Sequence, residues 1–159
     1  MIDEINLKIL KILQKKARVS NVEVARQVGL APSAVLERIR KLEKQGIIEG
    51  YEVRLNPEFF DKGLVAFLTV KTNENANDAE IGKKLAFRPK VQEVHYVAGD
   101  DAFLVKVRGT SLEDLDRLIR EKIKSIDGIC TIKTSVVFST YKEMSQLPIE
   151  ETVKNGQHQ

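Results

Sequence analysis

Residues 21–40 read NVEVARQVGLAPSAVLERIR, and this stretch decides the fold of the first part of the chain. Its apolar spacing predicts two short helices joined by a tight turn at Gly29, because glycine adopts the positive φ angle that other residues resist. Ala25 is small enough for the helices to approach closely, and Val35 faces back toward the first of them. A helix-turn-helix of this kind places its second helix in the major groove of DNA.

The residues around this stretch predict one further helix and the ends of all three. An apolar stripe indicates a helix over residues 3–16, which Asp3 can cap. Ser20 and Glu23 form a predicted capping box, in which each side chain accepts a backbone N–H. The third helix is predicted to begin at Pro32 and to end near residues 45–46. Ala31 stands at its N-cap and has no oxygen to accept the capping hydrogen bond.

The outer face of the third helix supplies the candidate DNA contacts. Three apolar residues are predicted to face the core, so polar and basic residues lie on the remaining surface. A charged helix face is usually no more than a solvated surface, but the preceding helix-turn-helix pattern favours DNA binding here. The candidates, including one residue at the start of the second helix, are Asn21, Ser33, Ala34, Glu37, Arg38, Arg40 and Lys41.

The charge distribution agrees with this interpretation. The chain has a formal net charge of +3, and residues 1–57 hold 11 Lys/Arg against 7 Asp/Glu. Residues 58–143 hold 14 of each. The basic surplus therefore lies in the part that would meet phosphates, although a surplus of this size is also common on ordinary protein surfaces.

The second half of the chain alternates strand and helix patterns. Strands are predicted at residues 64–71, 91–98, 102–108 and 129–140, with helices capped by the segments 77–80 and 110–113. The order βαββαβ is the ferredoxin-like arrangement, with two helices on one face of a single sheet. We expect the other face to be apolar and to meet a partner subunit.

These patterns define an α+β protein with two domains. We predict a helix-turn-helix (winged-helix-like) domain at residues 1–47 and a strand and linker arm at 48–62, with the strand itself over residues 47–55. A ferredoxin-like domain follows at 63–143, and a disordered tail at 144–159.

Several function classes are disfavoured. No apolar run approaches the roughly 18 residues of a membrane-spanning helix, and the first residues lack the basic-then-apolar order of a signal peptide. We therefore expect a cytoplasmic protein without membrane association. Cys130 is the single cysteine, interpreted as a small buried hydrophobe, and His95 as a strand residue. We expect no metal site, no cofactor and no catalytic residues.

Two alternatives concern the second half. The first is an enzyme, but residues 58–143 contain no evident nucleophile–base pair or phosphate-binding loop. The second is RNA binding, since βαββαβ is also the topology of RNA-recognition modules. Those modules stack bases on exposed aromatic residues, and the strand at 102–108 offers only Phe103.

The chain resembles the Lrp/AsnC (leucine-responsive regulatory protein) family of transcription regulators over roughly residues 2–142. The resemblance rests on the helix-turn-helix, the Leu55–Pro57 strand end and the βαββαβ half. Its most specific segments are RVSNVE at 18–23, LERIRKLE at 36–43, QGII at 45–48, GY at 50–51 and VQEVH at 91–95.

The resemblance implies a homodimer built through the second-domain sheets, often assembled further into tetramers or octamers. It also implies a small effector, commonly an amino acid, bound between second domains. We place that effector at the turn formed by Gly99, Asp100, Asp101 and Ala102, although such acidic residues are more often simple turn residues. Ala102 departs from the family pattern, which has a second acidic or amide residue there, so we expect weak binding, a different ligand or none.

Overall fold

The computed structural model describes residues 2–149 of the chain and divides them between two units. The first unit runs through Arg54 and includes the described segment that begins at Glu143, whereas the second unit is Leu55–Lys142. The division falls inside the arm predicted at residues 48–62. Within the described part, no helix is long and apolar enough to cross a membrane.

The first unit is built from three helices, α1 at Glu4–Lys15, α2 at Asn21–Val28 and α3 at Pro32–Lys44. All three begin where the sequence predicts. As the N-cap of α1, Asp3 accepts the backbone N–H of Asn6 at 2.7 Å. The inward faces form one core, whose buried residues are Ile9, Leu13, Val24, Ala25, Val35 and Ile39.

The predicted capping box of α2 is only half formed. Ser20 Oγ accepts the N–H of Glu23 at 3.2 Å, as predicted. The Glu23 carboxylate instead accepts from Arg26 Nη2 and Gln27 Nε2, both at 2.7 Å. The hydrogen bond from Arg26 is the main reason that the pKa of Glu23 is lowered, to about 2. An ion pair one turn along the helix therefore replaces the bond to the N-cap backbone.

The strand predicted at residues 47–55 is absent. Gly46 ends α3 with a φ of +69°, and the N–H groups of Ile47 and Ile48 both donate to Leu42 O. Residues 51–56 have no regular secondary structure in the described chain. Alternating apolar residues predict a strand, but a strand also requires a neighbouring strand for its backbone hydrogen bonds, and here Val53 is 82% exposed.

The second unit has the predicted βαββαβ order. Its strands are β1 at Leu64–Thr72, β2 at Val91–Val97, β3 at Ala102–Gly109 and β4 at Ile129–Val136. Helix α4 spans Asp78–Ala86, and α5 spans Leu112–Arg117 and continues as a π-helical segment, Leu118–Ile123. A 3-10 turn at Pro57–Phe60 precedes them. The strands are antiparallel in the order β2-β3-β1-β4, which confirms the ferredoxin-like fold.

The core of the second unit lies between the sheet and its two helices. Alternate residues of β1 and β3 meet apolar residues of the helices there, and Phe103 packs against Gly82 of α4. The buried members include Ala66, Leu68, Val70, Ile81, Leu85, Phe103, Val105, Val107, Leu115, Leu118 and Ile123. Phe103 is therefore unavailable for stacking a nucleic-acid base, which removes the residue on which an RNA-binding interpretation depends.

The opposite sheet face is less apolar than predicted. Phe67 and Leu104 are half-buried there. Lys106, which pairs with Phe67 across the strands and follows Leu104 by two residues on β3, is 9% exposed, with its Nζ 2.9 Å from Glu93 Oε1. His95 Nε2 is 3.6 Å from the other Glu93 oxygen. Lysine can pack its aliphatic stem on a sheet while its ammonium group pairs with a carboxylate, so this face combines apolar and charged surface.

The end of the chain also differs from the prediction. Strand β4 ends at Val136 instead of continuing to residue 140, and Phe138 is fully exposed beyond it. Within the predicted tail, Leu147 exchanges two hydrogen bonds with the Gln14 side chain, and Gln146 Nε2 donates to Gln14 O at 2.7 Å. The part of that tail at residues 150–159 lies outside the described residues.

Candidate DNA-binding surface and effector site

Packing of the first unit fixes which face of α3 meets solvent. Val35, Ile39 and Leu42 are 0%, 7% and 1% exposed, respectively, and form the buried stripe of the helix. Residues on the opposite side must therefore face outward. The predicted DNA contacts found on this exposed face are Ser33, Glu37, Arg40 and Lys41, with Ala34 half-buried beside them.

The turn between α2 and α3 sets the angle between these helices. Gly29 has a φ of +72°, and both its N–H and that of Leu30 donate to Ala25 O. Ala25 is 2% exposed and belongs to the core of the first unit, as expected for a small side chain between packed helices. The half-buried Asn21 begins α2.

The exposed face of α3 carries two basic side chains, Arg40 and Lys41. Within residues 2–149, neither Arg40 nor Lys41 forms an ion pair or a side-chain hydrogen bond. Lys41 also lies in the last turn of α3, where a cation is stabilised by the helix dipole. Unpaired cations on an exposed helix face are available for phosphate oxygens.

Arg38 differs from these two residues. Its Nη1 donates to Asp3 Oδ2 at 2.6 Å and to Asn6 Oδ1 at 2.9 Å, and its side chain is 32% exposed. The hydrogen bond from Arg38 is the main reason that the pKa of Asp3 is lowered. The structure thus directs Arg38 toward α1, which the spacing within α3 did not reveal.

The C-terminal end of α3 carries another contact that the sequence did not predict. The Tyr51 hydroxyl donates to Glu43 Oε1 at 2.8 Å. Burial, followed by this hydrogen bond, raises the pKa of Tyr51 from 10 to about 12. Residues just after α3 are thereby attached to the helix.

The predicted effector turn connects β2 to β3 in the second unit. Gly99 has a φ of +96° and open space around it, and Asp101 has a φ of +45°. Asp100 and Asp101 are exposed, whereas Ala102 is only 1% exposed where it pairs with Val97. Backbone and carboxylates at this turn are accessible, but the side chain that departs from the family pattern is buried.

A polar cleft at the same end of the sheet was missed by the sequence analysis. Thr72 at the end of β1 pairs with Ile129 at the start of β4, and the nearby Val70 pairs with Phe103. This pairing places the loops after β1 and before β4 at the end that carries the Gly99 turn. The cleft is about 350 Å³, and its polar lining residues are Asn73, Asn75, Asn77, Glu80, Lys84 and Asp127. The repeated asparagines were a signal available in the sequence.

The remaining candidates form no metal site among the described residues. That part of the chain holds no group of three or more His, Cys, Asp or Glu side chains able to bind a metal ion. Cys130 is exposed, with its Sγ donating to Lys71 O at 3.4 Å, so the prediction of a buried hydrophobe was wrong. His95 is 59% exposed at its side chain, as expected for a strand residue on the open face.

Two family models match the chain and together cover most of it. One, described as the Lrp/AsnC ligand binding domain, matches residues 65–147, and the other, a winged helix-turn-helix DNA-binding domain, matches residues 2–49. Two similar proteins are the leucine-responsive regulatory proteins of Klebsiella pneumoniae and Escherichia coli strain K12. Each is 36% identical over 151 residues, which is 94% of this chain and 92% of the relative.

Solved structures agree with these matches. A Neisseria meningitidis transcriptional regulator in complex with L-methionine has a TM-score of 0.86 and 29% identity, covering 93% of this chain and 97% of the other. E. coli AsnC has a TM-score of 0.79 and 27% identity, with 96% and 98% covered. A Mycobacterium tuberculosis feast or famine regulatory protein complexed with L-methionine has a TM-score of 0.85 and 26% identity, with 92% and 99% covered. The chain therefore belongs to the Lrp/AsnC family of DNA-binding, ligand-responsive transcriptional regulators.

Proposed function

We propose that this regulator recognises DNA through the exposed face of α3. The observation that carries the proposal is the pair of unpaired cations, Arg40 and Lys41, opposite the buried stripe of the second helix in a helix-turn-helix. Arg40 and Lys41 would bind phosphates, and the shorter polar side chains would reach base edges. The contact set is Asn21, Ser33, Ala34, Glu37, Arg40 and Lys41. We also propose that the protein acts in the cytoplasm and carries out no catalytic step.

Selection of duplexes from a random library tests this proposal. The full chain should enrich one sequence, and Glu37→Ala should change the bases preferred at one position, since Glu can accept from cytosine N4. Glu113→Ala, an exposed glutamate of the second unit, is the matched control and should leave the preferred sequence unchanged. A Glu37→Ala profile identical to that of the wild type, or no enriched sequence at all, would place recognition elsewhere.

We further propose that an amino acid binds at the Gly99 turn. Two structural relatives were solved with L-methionine. In this chain the open backbone beside Gly99 could hold an α-carboxylate, and Asp100 or Asp101 could pair with an α-ammonium group. The polar cleft at the same sheet end lies among the neighbouring loops.

Thermal unfolding with each of the twenty amino acids tests the effector. A ligand that binds only the folded protein raises the unfolding midpoint. We expect one or a few amino acids to do so, and to lose that effect in Asp100→Asn/Asp101→Asn. If no amino acid raises the midpoint, or if the double variant responds like the wild type, then this site does not bind an amino acid.

We also propose a homodimer that buries the open sheet face, with tetramers or octamers as further assemblies. The support is two half-buried apolar residues, Phe67 of β1 and Leu104 of β3, with the Lys106–Glu93 ion pair beside them on the same face. Two copies related by a twofold axis would present the same mixed surface to each other.

A further inference from the structure

The Arg38 side chain forms a link between α3 and the first residues of α1. Arg38 lies at the edge of the buried stripe of α3, and its Nη1 reaches two oxygens, Asp3 Oδ2 at 2.6 Å and Asn6 Oδ1 at 2.9 Å. Asp3 is 35 positions away in the chain, so this is a tertiary contact. A charged donor shared by two acceptors on one turn restricts how α3 can rotate against α1.

The Asp3 carboxylate accepts hydrogen bonds from two partners. One carboxylate oxygen caps α1 by accepting the Asn6 N–H at 2.7 Å, and the other accepts from Arg38. The Asp3 side chain is 51% exposed, so solvent weakens the ion pair with Arg38. The hydrogen bond between the two side chains still fixes their relative orientation. The cap fixes the carboxylate, and the fixed carboxylate in turn orients the guanidinium group.

Arg38 is therefore placed differently from its neighbours on α3. Arg40 and Lys41 are exposed and have no partner within residues 2–149, whereas Arg38 would have to break two hydrogen bonds to reach a phosphate. An arginine that is hydrogen-bonded to a carboxylate and an amide contributes to DNA binding mainly by keeping its helix in position.

We propose that Arg38 is a positioning residue, which holds α3 against the start of α1 through Asp3 and Asn6 and so presents Arg40 and Lys41 to DNA. This inference rests on the proposed DNA-binding face of α3. It replaces the prediction that Arg38 contacts DNA directly.

The Asp3→Asn variant separates the two roles of Arg38. Asparagine is a good N-cap, so Asp3→Asn keeps the α1 cap and removes the charge that holds Arg38. If Arg38 positions α3, Asp3→Asn weakens DNA binding, by roughly two- to fivefold for a half-exposed ion pair. If Arg38 contacts a phosphate, releasing it from Asp3 leaves affinity unchanged or increases it.

The dependence of affinity on salt gives a second readout. Arg38→Ala should weaken binding about as much as Asp3→Asn, and the double variant should be no weaker than either single variant. The salt slope should stay that of the wild type, because no phosphate contact is lost. A slope reduced by about one unit in Arg38→Ala, or tighter binding by Asp3→Asn, would overturn the inference.

Three controls make the result specific. Asp116→Asn breaks the comparable Arg120–Asp116 pair, with its 2.7 Å contact in the second unit, and should leave affinity unchanged. Circular dichroism confirms that each variant keeps its helices. If Lys41→Ala lowers affinity and slope while Asp3→Asn does not weaken binding, only the role of Arg38 is wrong; if Lys41→Ala changes neither, the DNA-binding face itself is wrong.

Discussion

Ala102 shows how one side chain could tune the effector site. It is 1% exposed at the start of β3, directly after the two exposed aspartates of the Gly99 turn. A carboxylate at this buried position is costly unless a cation pairs with it. A ligand ammonium group would supply that cation.

We therefore expect Ala102→Asp to lower the unfolding midpoint of the free protein and to increase its rise on adding an amino acid. Isothermal titration and thermal unfolding measure the two effects. Ala98→Asp, which adds the same charge at an exposed neighbouring position, should do neither. Tight amino-acid binding by the wild type that Ala102→Asp abolishes would show instead that Ala102 shapes the pocket.

Single residues were predictable when their environment was local. The buried stripe of α3 and the positive φ of Gly29 follow from spacing and turn chemistry, and both are confirmed. The Arg38 contact was not predictable, because its acceptors lie on another helix. Cys130 was assigned to the core although it is exposed, because the register shift between β1 and β4 near Thr72 places Ile129 and Ile132 against the core instead.

At the scale of elements, the start of α3 offers a test of capping. Ala31 is its N-cap, with a φ of −70° and a ψ of 145°, and it makes no side-chain capping bond. Ser at this position could accept an orphan N–H of α3. We expect Ala31→Ser to stabilise the first unit by about 1 kcal/mol without lowering DNA affinity. Thermal unfolding measures the gain. Ala31→Val, a poor N-cap without a side-chain oxygen, serves as the comparison, and a lowered midpoint for Ala31→Ser would contradict this.

Asp114 of α5 is hydrogen-bonded to residues of two neighbouring loops, and its carboxylate predicts a pH dependence. Its carboxylate accepts from Lys90 Nζ and, at 3.1 Å, from the Thr110 N–H. Chiefly through the Lys90 hydrogen bond, the pKa of Asp114 falls from 3.8 to about 2. The pKa of Asp114 is lower in the folded protein than in the unfolded chain. The stabilisation is therefore present above pH 3.8 and is lost as the pH falls from 3.8 to about 2.

We expect Asp114→Asn to destabilise the protein at neutral pH and to reduce the loss of stability between pH 3.8 and about 2. Denaturant unfolding at a series of pH values measures both. Asp100→Asn removes an exposed carboxylate of the same unit and should keep the wild-type profile. An Asp114→Asn profile parallel to the wild type across that window would contradict the assignment.

The helices and the paired strands could be predicted from the sequence, but the conformation of residues 47–55 could not. The N-caps Asp3, Ser20 and Asn77 each accept the predicted backbone N–H, because capping is decided within four residues. The segment at residues 47–55 has the alternation of a strand, but strand formation depends on a distant partner. The alternation can be identified in the sequence, whereas the presence of a neighbouring strand cannot.

At the scale of the whole molecule, the open sheet face predicts self-association. Phe67 is half-buried near the middle of that face, opposite Lys106 and Ser135. We expect the wild type to sediment as a dimer or a larger assembly and Phe67→Glu to shift it toward monomer. Phe87→Glu, at a residue 86% exposed after α4, is the matched control and should not dissociate it. A wild type that remains monomeric, or a Phe67→Glu variant with unchanged mass, would rule out this interface.

The most direct test is the salt dependence of DNA binding for wild type and Arg40→Ala/Lys41→Ala, measured by fluorescence anisotropy on a duplex that the wild type has selected. Each phosphate contact contributes close to one unit to the slope of log affinity against log salt. Losing two phosphate contacts should lower affinity and reduce the slope by about two units, while Lys122→Ala in the second unit changes neither. Wild-type affinity and slope in the double variant would show that α3 does not bind DNA in this way.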